Sequence, residues 1–203
     1  MTSGHVSLVT GPKRRPVGGR GASAALAVAA LLALAPASAA ADPTTAQFLA
    51  ACPKADQLQR STGDAERMLR CLVDTARRDA GVRMLRRNVK LDRVAARQVS
   101  RSIAENRLDH QAGGSLQARV RRSGYLRGAG RWDAGEALAA GRGSFATPLA
   151  TVRRWLASHA GHRQVVLGAR SRDGGFAWSG RGAAGVGGSS PGATWALVTG
   201  WRR

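Results

Sequence analysis

The stretch TPLATVRRWLASHAGHRQVVL, residues 147–167, decides how the chain is read. Thr147 followed by Pro148 is a strong helix start: a hydroxyl placed to cap, then a proline at the first helical position, where its missing N–H is not needed. Leu149, Val152, Trp155 and Leu156 recur at helical spacing and give this helix a buried face. Gly161 breaks the pattern. On either side of it stand His159 and His162, two of only four histidines in the chain. Such a pair can clamp a metal, end a helix as a cation, or stand in solvent. Beyond the break, RQVVLGA reads as a short strand.

Further toward the C-terminus, GGFAWSG and TWALVTGW are short strands on either side of the Gly/Ser loop RGAAGVGGSSPG. Toward the N-terminus the pattern turns helical. Ser61, Thr62 and Asp64 are cap candidates for a helix with Leu69, Leu72, Val73, Ala76 and Ala80 on one face, stopped at Gly81. Asn88 caps a second helix, with Leu91, Ala95, Val99 and Ile103 aligned. Ser115 opens a short third helix that Gly124 ends. Residues 131–146, RWDAGEALAAGRGSFA, have no clean period and read as an irregular connection. Helices come first and strands late, so the class is α+β, helices over a small antiparallel sheet.

The first residues read as a targeting segment. Lys13, Arg14, Arg15 and Arg20 form a basic region, an Ala/Leu-rich apolar run follows, and small residues up to Ala41 offer cleavage sites. The run is Ala-rich and ends at Pro36, which argues against a permanent anchor of about 20 firmly apolar residues. The expected organisation is a signal peptide over 1–41, a lead-in over 42–63 carrying Cys52, and a domain over 64–203. Removing 1–41 takes away four basic residues and no acid, so the formal charge falls from +20 to +16. That charge suits an anionic polymer of the cell envelope or lipid headgroups. The basic residues are dispersed, however, with 29 Arg and 3 Lys in the chain. Aromatics are too few to interleave with them as stacking platforms, so nucleic acid is not expected as a partner. Export also makes a disulfide permissible, and Cys52 and Cys71 are the two cysteines. A loop of about twenty residues closed by that bond contributes roughly 3 kcal/mol in the chain-entropy account.

Three groups suited to metal or acid–base work fall outside the helix faces: His110 in LDHQAGG, Glu136 in WDAGEALAAG and His162 in AGHRQ. Each stands near glycine. Two neutral imidazoles and a carboxylate can hold zinc or another divalent cation and leave one position open.

The order of motifs resembles the CAP superfamily, also called SCP-like domains, which includes cysteine-rich secretory proteins, antigen 5 and plant pathogenesis-related class 1 proteins. CLVDTARRDAGVRMLRRNVKLDRVAARQ (71–98) is similar to the opening helix and loop of that family. DHQAGGSLQARVRRSGY (109–125) resembles its SHxSPDGxxxxxRxxxAGY, AGEALAAG (134–141) its GENIAxG, and residues 147–167 its TPxxxVxxWMxSPGHRxNIL. The resemblance implies a three-layer α-β-α sandwich and a cleft lined by His110, Glu136 and His162, in some members around a divalent cation. It also shows departures. Ser158 stands where animal members have a second glutamate, Ala137 replaces an asparagine, and Val165 lies nearest a second missing asparagine. His159 fills one extra residue; its sharper reading is a replacement fourth ligand, its plainer one a solvated imidazole at a helix end. The export signal, the basic mature domain and an eroded cleft with no evident nucleophile and general-base pair point to a secreted protein that works by binding an envelope polymer, a lipid or a partner protein. The alternative is a metal-dependent hydrolase using the same cleft, and lipid or sterol carriage is a third reading.

Overall fold

The computed structural model describes residues 7–10 and 41–203. The signal peptide expected over 1–41 otherwise lies outside the described residues. Ser7–Thr10 forms strand β1. The other elements are helices α1 (Thr45–Ala51), α2 (Thr62–Asp79), α3 (Val89–Ala104), α4 (Leu116–Arg122), α5 (Pro148–Leu156) and α6 (His162–Leu167), and strands β2 (Arg86–Arg87), β3 (Trp132–Arg142), β4 (Asp173–Ser179) and β5 (Gly192–Arg202). A 3-10 turn, Gly143–Ala146, joins β3 to α5. No described helix is long and apolar enough to cross a membrane.

The caps read from sequence form. Ser61, Asn88, Ser115 and Thr147 each accept a backbone N–H of the first turn of their helix, which satisfies one of the donors that a helix start leaves orphaned. Strand order in the sheet is β1-β3-β5-β4-β2. β5 runs antiparallel to both neighbours, β3 and β4, and the two-residue β2 runs parallel to β4. In the β3–β5 register Glu136 stands opposite Val198, and Trp132 opposite Arg202.

Two apolar cores flank the sheet and make the three layers. One packs Leu69, Leu72, Val73, Val152, Trp155 and Val166 of α2, α5 and α6 against Ala137, Phe176, Trp195 and Leu197. The other packs Leu91, Val94, Val99, Leu116 and Val120 of α3 and α4 against Trp132, Leu138, Ala196 and Val198. Buried indoles find partners: Trp155 donates to the Leu138 carbonyl at 3.0 Å and Trp195 to that of Ala146 at 3.2 Å. Gly175 permits the seating of α3 on β4, because a Cβ there would lie 2.1 Å from the Leu91 carbonyl carbon. In the lead-in, α1 places Phe48 and Cys52 in the first core, and Cys52 is bonded to Cys71 of α2 with the Cα atoms 6.0 Å apart.

Two sequence expectations are corrected. RQVVLGA is not a strand: it lies in α6, closed by Val165 N–H to the Gly161 carbonyl at 3.1 Å and Gly168 N–H to the Gln164 carbonyl at 2.8 Å. A three-residue apolar run carries no period of its own, and here Val165 and Val166 drop into the core against α2 and α5 on a six-residue helix. Residues 131–146 are not an irregular connection: most of them form β3, a strand buried on both faces for nearly its whole length. Burial on both sides removes the alternation by which a half-exposed strand is recognised.

Candidate functional site

Glu136 lies on the face of β3 that is turned to α3 and α4, at the strand where both cores meet. Its side chain is fully buried, and the two imidazoles near it are almost so, His110 at 8 % exposure and His162 at 6 %. His110, in the turn between α3 and α4, bonds through Nδ1 to Glu136 Oε1 at 2.8 Å. The ring centroids of His110 and His162 are 6.3 Å apart. The structure therefore brings all three sequence-expected groups into one place, His162 arriving from α6 on the opposite layer.

A fourth residue holds the site. Arg119 of α4, itself 7 % exposed, donates Nη1 to Glu136 Oε2 at 2.6 Å and Nη2 to Oε1 at 3.0 Å. It also donates Nη2 to the His110 carbonyl at 2.8 Å and Nε to the Gly114 carbonyl at 3.0 Å. This is a bidentate guanidinium–carboxylate pair, the strongest geometry for such a contact. The sequence carried a weak signal: Arg119 matches the arginine of the quoted RxxxAGY pattern. It sits among Arg121 and Arg122, and residue type alone does not say which of the three turns inward. Helical phase decides, since Arg119 shares the inner face with Leu116 and Val120.

The protonation pattern follows from these contacts. A carboxylate paired with arginine can only accept, so His110 donates its Nδ1–H to Glu136. His162 bonds through Nδ1 to Ser158 Oγ at 3.0 Å, and that oxygen also accepts the Ala160 N–H at 3.2 Å. Burial first, then the proximity of His110 and of Arg154, lowers the pKa of His162 from its ordinary 6.5 to about 4. At neutral pH His162 is uncharged, and its Nε2 is buried without a hydrogen-bond partner among the described residues.

The set does not fit a divalent ion as it stands. Both carboxylate oxygens are engaged by a buried cation, which leaves two imidazole nitrogens. Two histidines on one tetrahedral zinc, with Zn–N of about 2.0–2.1 Å, have ring centroids roughly 5 Å apart, whereas the observed 6.3 Å would require a nearly linear N–Zn–N. Among the described residues no group of three His, Cys, Asp or Glu side chains is placed to hold a metal ion. His159 is exposed and makes no hydrogen bond among the described residues. Ala137 and Val165, the positions where the family resemblance expects amides, are packed in the core with α2 and α5 and supply no polar support to the site.

Comparison with solved structures gives an extracellular SCP-domain protein of Bacillus anthracis, with a TM-score of 0.51 and 21% identity. That match covers 68% of this chain and 41% of the Bacillus protein, so this chain spans less than half of its length. An outer surface protein of Borrelia burgdorferi superposes with a TM-score of 0.55 at 17% identity, over 71% of this chain and 97% of its own. At such identities the likeness concerns the fold. No curated protein matches the sequence. The family model of the cysteine-rich secretory proteins, CAP, matches residues 72–195, which is more than half of the chain and includes His110, Arg119, Glu136 and His162. With that match and the α-β-α sandwich, the chain belongs to the cysteine-rich secretory protein (CAP) family.

Proposed function

We propose that this protein acts outside the cell by binding rather than by turnover, and that its cleft takes a neutral hydrogen-bonding group of an envelope polymer. The observation that carries the reading is the Arg119 clamp on Glu136. It occupies the carboxylate that a metal hydrolase would need as a ligand, or a metal-free one as a base. It also neutralises the carboxylate with a guanidinium, beside a His162 that is uncharged at neutral pH. What the site offers is an unpartnered Nε2 on His162, which matches a hydroxyl or amide group such as those of wall polysaccharide.

The reading is supported by the basic and apolar run at the N-terminus, which would direct export, by the Cys52–Cys71 bond, and by neighbours described as extracellular or outer-surface proteins. Cleavage near Ala41 would carry β1 away and free the edge of β3 at Glu136, since Ser7 pairs opposite that residue.

The test is cosedimentation of the purified chain with insoluble wall polysaccharide, with and without EDTA, alongside zinc titration by calorimetry. The expected result is binding that ignores EDTA, falls at least tenfold in His162→Phe, and leaves zinc unbound at micromolar concentration. Zinc bound at micromolar affinity and lost in His110→Ala would overturn the reading and restore the hydrolase alternative.

A further inference from the structure

A concave site lies at the end of the sheet. Arg131, Arg170, Arg172, Arg202 and Arg203, together with Trp201, line a cavity of about 280 Å³. The arginines come from three separate segments: the entry to β3, the α6–β4 turn and the end of β5. The backbone fixes those segments together. Arg203 donates its N–H to the Arg131 carbonyl at 2.9 Å, its own carbonyl accepts from Gly130 and Arg131, and Arg172 donates to the Gly200 carbonyl at 2.9 Å. The α6–β4 turn is anchored from beneath by fully buried Arg77, whose guanidinium donates to the carbonyls of Val166 at 2.6 Å and Gly168 at 3.3 Å.

The arginines of this cavity outnumber the acids beside it. None of the five arginines forms an ion pair among the described residues. Residues 1–40 contain no Asp or Glu that could supply one. The partners these guanidiniums do have are modest: Arg172 caps the Ala169 carbonyl at 2.8 Å, Arg202 bonds the Arg127 carbonyl at 3.2 Å and lies over the Tyr125 ring. The nearest acid, half-buried Asp133, faces Arg170, and burial holds its pKa above the ordinary carboxylate value. The carboxylate of Asp173 beside Arg172 is already taken by Arg86 and Tyr125.

We infer that this arginine cavity is an anion-binding site for a phosphoryl group, distinct from the histidine cleft. Guanidinium forks match phosphate oxygens bidentately; the Arg202 guanidinium is turned to Tyr125 and the Arg127 carbonyl, which leaves Arg131, Arg170, Arg172 and Arg203 to meet the anion. The volume suits one phosphate or a short pyrophosphate, not a drug-sized ligand. The dispersed arginines seen in the sequence thus include one group that lines a single cavity, assembled where the α6–β4 turn and the start of β3 meet the end of β5.

Calorimetric titration with inorganic pyrophosphate at low ionic strength tests the site on the full chain, with phosphatidylglycerol vesicles as a second arm to distinguish a free phosphate from a lipid headgroup. Arg170→Gln/Arg172→Gln is compared with the charge-matched control Arg60→Gln/Arg78→Gln, and thermal melting checks that both pairs fold. The expected result is pyrophosphate binding that falls at least tenfold in the first pair and less than twofold in the control. Vesicle binding that falls in the same pattern extends the site to lipid phosphate; vesicle binding unaffected by the first pair confines it to soluble phosphate. Equal weakening in both pairs, or no binding by the wild-type chain, overturns the proposal. The histidine variants that test the cleft leave this titration unchanged.

Discussion

Replacement of Arg119 by methionine removes a buried guanidinium while keeping an unbranched stem of similar bulk. It deletes two bonds to Glu136, at 2.6 and 3.0 Å, and leaves the carbonyls of His110 and Gly114 without their donor. Glu136, fully buried, keeps only His110. Breaking a buried pair by removing one partner costs about 3–5 kcal/mol. Arg119→Met should therefore lose about 3–5 kcal/mol at pH 7. Arg119→Met/Glu136→Leu removes both charges and should lose less than the sum of the single variants, by about 2 kcal/mol or more. Equilibrium urea unfolding followed by tryptophan fluorescence, with the disulfide intact, measures each corner of the cycle. A loss under about 1 kcal/mol in Arg119→Met, or strict additivity in the double variant, would show that this pair is not what holds the site.

Three further outcomes follow from the structure. His162 has a folded-state pKa near 4 against 6.5 in the unfolded chain, so the unfolded state binds more protons between those values and stability falls as pH drops from 6.5 to 4; the contribution is at most about 3 kcal/mol, and His162→Gln should flatten the urea midpoint across that window. An unchanged slope in the variant would remove His162 as its source. Reducing the Cys52–Cys71 bond, or Cys52→Ser/Cys71→Ser, should lower stability by about 3 kcal/mol for the 19-residue separation, read as a lower urea midpoint; no change under reductant would contradict it. Gly175→Ala drives a Cβ into the Leu91–Asp92 backbone and should cost about 1–3 kcal/mol or more, whereas Gly182→Ala, with open space around it, should stay within about 0.5 kcal/mol; equal melting temperatures would mean that α3 shifts freely on β4.

Much of the fold was legible because helices announce their ends. Thr147-Pro148, Asn88 and Ser115 are caps whose chemistry acts within one turn, and the apolar spacing of α2 and α3 repeats long enough to be counted. What was misread lacked such local marks. β3 is the strand that carries Glu136, yet its Ala- and Gly-rich sequence is buried on both faces and shows no alternation. α6 is a six-residue helix whose form is set by the core beneath it.

The site divides the same way. His110, Glu136 and His162 stood out in the sequence because they are rare, ionisable and placed near glycine, and the order of motifs around them is a property of the chain itself. Arg119 and the five arginines of the anion cavity did not stand out, because in a chain with 29 arginines the residue type says nothing about position. Only tertiary packing turns one guanidinium into a carboxylate clamp and gathers five others around one concavity. From the sequence alone came the helix-first, strand-late order, the pair of cysteines and three ionisable residues near glycine, with the layers implied by the family resemblance. Only the tertiary structure places the Arg119 guanidinium on both oxygens of Glu136, because that contact joins a helix and a strand 17 residues apart.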